Sequence, residues 1–149
     1  MNDVIVPTAL KKLKIAPASI DLAGAGVELV NLPSASIFEK ALKEVKDDYD
    51  FIFIDCPPSL DLLTLNAMTA ADGVLIPIQS EFYALEGVSQ LINTVNLVKK
   101  SLNEKLEVEG VLLTMFDGRT NLSIQVADEV KKFFTTKVYN YHLDRVSER

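Results

Sequence analysis

Short apolar runs alternate along the chain with helix-length amphipathic segments, a pattern that predicts βαβ units and a mostly parallel sheet with helices on both faces. The expected fold class is therefore α/β. Phe51-Ile52-Phe53-Ile54 sets four apolar β-formers in a row, which predicts a strand covered on both sides. It ends at Asp55 and then Cys56-Pro57-Pro58, because proline donates no ladder hydrogen bond. Leu60 to Ala70 reads as a helix and Gly73 to Ile78 as the next buried strand. Ala84 to Ser101 predicts the longest helix, with Leu85, Val88, Leu91, Ile92, Val95 and Val98 at core spacing. Val108 to Met115 predicts another strand, closed by the turn signal Asp117-Gly118. A helix capped by Asn121 then runs to Phe134, with Ile124, Ala127, Val130, Phe133 and Phe134 as its expected buried side.

The first fifty residues are less regular. Leu13-Lys14-Ile15-Ala16 suggests a short strand ended by Pro17, and Ser19 to Val30 reads as a helix, although Val27 to Val30 also alternates like a strand. Ser34 to Lys46 predicts a helix with Ile37, Ala41, Leu42 and Val45 on one stripe and a serine cap at Ser34 or Ser36.

At 149 residues, 48% of them hydrophobic and 24% charged, the composition is that of one globular domain with a core. The formal charge of -6 supplies no general attraction to nucleic acid or to an anionic membrane, so any such contact must come from a local patch. One cysteine excludes an intramolecular disulfide, the start shows no secretory pattern, and no stretch reaches the ~20 apolar residues of a spanning helix. The expectation is a cytoplasmic protein without a membrane partner.

Asp55 is the most informative polar residue. Ligands of parallel sheets gather beyond the carboxyl ends of the strands, and a carboxylate there suits Mg²⁺, which prefers oxygen ligands and keeps several waters. A turn aspartate capping the following helix is the alternative reading. Phosphate binding also needs a glycine-rich loop followed by Lys and Ser/Thr, and no glycine in these 149 residues precedes a lysine. In Ala23-Gly24-Ala25-Gly26, Leu29 stands where a dinucleotide fingerprint needs its third glycine. Arg119, just after the Asp117-Gly118 turn, suits a phosphate backbone or simply solvent. Lys131, Lys132 and Lys137 form a modest basic cluster or a solvated helix face. Cys56 is expected to be a small buried thiol, and one Cys with one His argues against zinc.

Tyr49 to Leu60, followed by Leu63-Thr64-Leu65-Asn66-Ala67, resembles the Walker B region of ParA/Soj partition ATPases. Ile76 to Gly87 and Glu109 to Thr120 resemble two further blocks of that family, in its order and spacing. The resemblance implies a P-loop NTPase-like fold and a partial ATPase domain over residues 1–140, followed by a divergent tail at 141–149. It implies a family that dimerises around ATP and Mg²⁺, binds DNA non-specifically and moves replicon origins with a ParB-like protein. Position by position, Asp55 is then the Walker B acid acting on Mg²⁺ through water, Arg119 a DNA contact, and Glu81 and Tyr83 part of the nucleotide-linked dimer surface. The family's phosphate loop, K-G-G-x-G-K-T-T, lies upstream of the matching region. The membrane-associated MinD branch fits less well, because Tyr141 to Arg149 is short and mixed in charge. Two functions follow: a partition ATPase domain lacking catalytic parts, or a non-catalytic module pairing with a full-length relative or a ParB-like protein.

Overall fold

A computed structural model describes residues 1–19, 22, 36–57, 59, 61–80 and 84–144, and the side chains of all of these except 84–86 and 140–144. Two compact units divide the chain, Met1–Ala71 and Asp72–Arg149.

In the first unit, β1 (Val6–Pro7) pairs antiparallel with β2 (Lys14–Ile15), a shorter strand than the apolar run suggested. The expected helix and strand signals between Ser19 and Val30 fall largely outside the described residues. Helix α1 (Ile37–Lys43) is shorter than its predicted span, and Ser36 occupies its N-cap position without a side-chain capping bond. Ser34 lies outside the described residues. Helix α2 (Leu62–Ala70) starts at Asp61, whose carboxylate accepts the Thr64 amide at 3.0 Å. The buried Asn66 ties the two helices together: its Oδ1 accepts from the Phe38 amide at 3.5 Å while its Nδ2 donates to the Leu62 carbonyl at 3.0 Å. Val45, Ala67 and Met68 form the buried apolar part of this unit.

The predicted strand Phe51–Ile54 is absent. These residues carry no strand assignment, and Phe51 and Phe53 are 81% and 83% exposed. Their rings stack with centroids 6.5 Å apart, as residues two apart on one side of an extended chain do. A strand exists only where a neighbour completes its ladder, and among the described residues none pairs with this segment.

The second unit is a three-stranded, wholly parallel sheet in the order β3 (Gly73–Gln79), β4 (Glu107–Phe116), β5 (Val138–Asp144). Helix α3 (Ala84–Ser101) connects the first two strands and α4 (Asn121–Phe134) the last two. Ile76 and Ile78 of β3 lie beside Val111 and Leu113 of β4, and all four are buried with Val88 of α3 and Val126, Ala127, Val130 and Phe134 of α4. Both helices thus cover the same face. On the opposite face of β3, Leu75 is exposed where a fully buried strand was expected. Pro77 fits an edge strand, where a missing N–H costs least.

Helix α4 buries Ser123, Val126, Ala127, Val130 and Phe134, while Ile124 and Phe133 are exposed. Ala127, Val130 and Phe134 are thus buried as expected, while Ser123 and Val126 take the places expected of Ile124 and Phe133. Both stripes fit helical periodicity, and the turn entering the helix selects between them. A Cβ at Gly110 would lie 3.0 Å from Cζ of Tyr139 and closer still to its ring edge, so any other residue there requires the ring to move.

Leu106, fully buried between α3 and β4, tests this packing. Leu106→Ala is expected to cost about 2–5 kcal/mol in urea unfolding. Leu97→Ala, at a solvent-facing position of α3, should change stability by no more than about 0.5 kcal/mol.

Candidate functional site

Because β3 and β4 run in parallel, their carboxyl ends meet at one pole, and a hydrogen-bonded polar knot forms there. The buried Ser80 donates both its amide (3.0 Å) and its hydroxyl (3.2 Å) to the Thr114 carbonyl. The buried Ser123 donates its hydroxyl to the Ser80 carbonyl and accepts the Asp117 amide, each at 3.4 Å. Thr120 is the N-cap of α4 in place of the expected Asn121: its backbone is extended, and its hydroxyl accepts the Ser123 amide at 3.3 Å. The Thr120 amide and hydroxyl both donate to the Asp117 carbonyl, at 3.0 and 3.1 Å. Met115, at φ 54, adopts a left-handed backbone that a non-glycine residue enters only under strain, one residue before β4 ends.

This knot presents Arg119. Its side chain is 90% exposed, yet Nε and Nη2 donate to the two carboxylate oxygens of Asp117 at 2.9 and 2.8 Å. The Arg119 amide donates to the same carboxylate at 3.0 Å. Hydrogen bonding to Asp117 and then its charge hold the guanidinium pKa above its ordinary value. Neither serine drew notice in the sequence, because each acquires its role only when segments 43 residues apart meet.

Asp55 belongs to the first unit and is exposed. The capping alternative does not hold, since α2 is capped by Asp61. Cys56 is exposed rather than buried, and its thiol donates weakly to the Ile54 carbonyl at 3.8 Å. Partial desolvation, with the Asp55 and Asp61 carboxylates adding to it, raises the thiol pKa and keeps it a poor nucleophile at neutral pH. Glu81 and Tyr83 lie outside the described residues.

Among the described residues no cluster of three or more His, Cys, Asp or Glu is placed to hold a metal. A lone exposed carboxylate suits Mg²⁺ held through water, but the amides and lysines that neutralise a triphosphate are missing from this set. The residues present therefore fall short of a magnesium-nucleotide site.

Of the basic cluster, Lys137 donates to the Val108 carbonyl at 2.7 Å and lies 3.9 Å from Glu107, which Lys99 also approaches to 3.5 Å. Lys131 and Lys132 stand in the last turn of α4, where cations favour the helix dipole. Lys99, Glu107 and Lys137 line an open groove of about 350 Å³ together with Ile92, Val95, Leu106, Phe133 and Phe134.

Residues 1–108 match the protein family described as an AAA domain. Over 144 residues the chain is 58% identical to the sporulation initiation inhibitor protein Soj of Bacillus subtilis, covering 96% of this chain and 57% of that protein. It is 51% identical over 146 residues to the chromosome partitioning protein ParA of Myxococcus xanthus, covering 97% and 52%. The crystal structure of cobyrinic acid a,c-diamide synthase from Mycobacterium smegmatis with bound ADP and magnesium matches with a TM-score of 0.82 at 36% identity, over 95% of this chain and 55% of that one. The chain spans a little over half the length of these relatives.

Hydrogen bonds from the Thr64 amide and the Ser59 hydroxyl hold Asp61 below its ordinary pKa. Its stabilising effect is therefore full above the unfolded value near about pH 4 and is lost as pH falls through the lower folded value. Asp61→Asn keeps an oxygen at the cap and removes the titration. Wild type should have the higher urea midpoint at neutral pH, and the two should converge as pH falls through the lowered folded value of the Asp61 carboxyl.

Proposed function

The chain belongs to the AAA-domain family and to its ParA/Soj group, and from that premise we propose that it forms part of a chromosome- or plasmid-partitioning ATPase. The observation that carries this reading is Asp55, exposed directly after the apolar Phe51–Ile54 and unused as a helix cap, in a chain 58% identical to Soj. Asp55 would be the Walker B acid, holding Mg²⁺ through water where the phosphate-binding parts of the site are supplied. Arg119, presented on a rigid turn beyond the carboxyl end of β4, contacts the DNA backbone without reading sequence. Glu81 and Tyr83 would belong to the surface by which two copies of the whole ATPase associate, and a ParB-like protein is the partner.

Among the described residues no helix is long and apolar enough to cross a membrane. The reading places the protein in the cytoplasm, at the nucleoid.

Bound ATP and Mg²⁺ would supply the phosphoryl chemistry, which depends almost wholly on positioning and charge stabilisation. One carboxylate provides neither the cradle nor the cations for that. These 149 residues alone therefore do not turn over ATP. The exposure of Phe51 and Phe53 supports a second role as a non-catalytic module, in which an intact relative or a ParB-like protein adds a strand alongside that segment.

Phosphate release from ATP by the purified chain should not exceed background, with or without Mg²⁺. Magnesium-dependent turnover that disappears in Asp55→Ala would refute the catalytic part of the proposal. For the second role, the chain should co-elute with a full-length Soj-type protein and lose that association in the double variant Phe51→Ser, Phe53→Ser. Elution only as a polydisperse aggregate in both cases would rule the role out.

A further inference from the structure

Arg119 is the residue through which the proposed function reaches DNA, but two of its five guanidinium N–H groups are already given to a carboxylate in this structure. Three N–H groups of Arg119 converge on the Asp117 carboxylate at 2.8–3.0 Å, two of them from the guanidinium itself in a bidentate fork. The two partners are unequally mobile. Arg119 projects into solvent at 90% exposure, whereas Asp117 is 24% exposed and its backbone is fixed on both sides. Its amide is held by Ser123, and its carbonyl takes two bonds from Thr120. Breaking the pair therefore means that the arginine leaves and the carboxylate stays.

We propose that Asp117 is an internal competitor for Arg119, so that the arginine meets a phosphate backbone only by exchanging the carboxylate for a phosphate. This rests on the reading of Arg119 as a DNA contact. The competitor is tethered two residues away, so its effective concentration is far above that of any small anion in solution. Single phosphates displace it poorly. A duplex, with one charge per ~1.7 Å and a releasable counterion atmosphere, offers the phosphate density to win the exchange. Each exchange also leaves the Asp117 carboxylate facing the phosphates, a repulsion that lowers affinity further. The pair therefore weakens non-specific binding and restricts it to dense polyanions.

The test is a double-mutant cycle on the full chain, read by fluorescence anisotropy with a labelled duplex of arbitrary sequence at low salt. Asp117→Asn keeps an oxygen for the Arg119 amide and removes the competing charge. It is expected to tighten binding about three- to tenfold, and to steepen the salt dependence by roughly one phosphate contact. In an Arg119→Ala background the same change should alter affinity by less than about twofold. Inorganic phosphate should compete measurably better against Asp117→Asn than against wild type. Unfolding midpoints of the variants, matched to wild type, exclude a folding defect.

An equal gain in both backgrounds would reduce the effect to net charge and overturn the proposal. If Arg119→Ala weakens binding while Asp117→Asn leaves it unchanged, the competitor fails and the DNA contact stands. If Arg119→Ala has no effect even beside Asp117→Asn, the DNA-contact reading itself fails.

Discussion

The burial of one face of β3 and β4 beneath α3 and α4 is the constraint on which the second unit depends. Ile76, Ile78, Val111 and Leu113 leave water together with Val88, Val126, Val130 and Phe134, and each such side chain contributes about 1.5–3 kcal/mol. Two crossovers that both return to the same face keep the strands parallel, which sends their carboxyl ends to one pole. Ser80 and Asp117, distant in sequence, then meet at Ser123. The polar knot is thus a consequence of the apolar layer. Burial brings its backbone groups out of water, and the serine and threonine hydroxyls satisfy them.

Where that constraint is missing, the same kind of sequence gives no strand. Phe51–Ile54 has greater β-propensity than β5, yet β5 is ordered into the sheet and Phe51–Ile54 is not. Propensity describes how well a side chain suits a pleated, half-buried surface, and it cannot supply the neighbour that creates one. β5 inherits its neighbour from β4 even though Asn140, His142 and Asp144 interrupt its apolar residues. That interruption concealed it in the sequence.

Helix α3 was legible to its bounds because its apolar spacing persists over five turns, long enough to exceed local noise. Helix α4 was legible in extent and in part of its facing: Ala127, Val130 and Phe134 are buried as expected, whereas Ile124 and Phe133 mimic a buried stripe and Ser123 and Val126 are buried instead. Asp55 and Arg119 were visible through local motifs, and both prove solvent-accessible. The Asp117 clamp and the serine knot were not visible, because they depend on side-chain direction and on approach across the sheet. Periodicity carries no information about either.

Charge places a further condition on the proposed function. At -6 the chain as a whole is repelled by a polyanion, so local cations must reverse that field. Several of them are already engaged: Lys43 with Glu39, Lys99 and Lys137 with Glu107, Arg119 with Asp117. A single copy that contributes one or two phosphate contacts then binds a duplex weakly, and screening at physiological salt weakens it further. Association of two copies doubles the contacts and makes the second set intramolecular, raising affinity far more than additively. Under the proposed reading, coupling between dimerisation and DNA binding therefore needs no change of shape at Arg119. Scarce cations on an acidic surface would suffice, because two copies would bring twice the phosphate contacts of one.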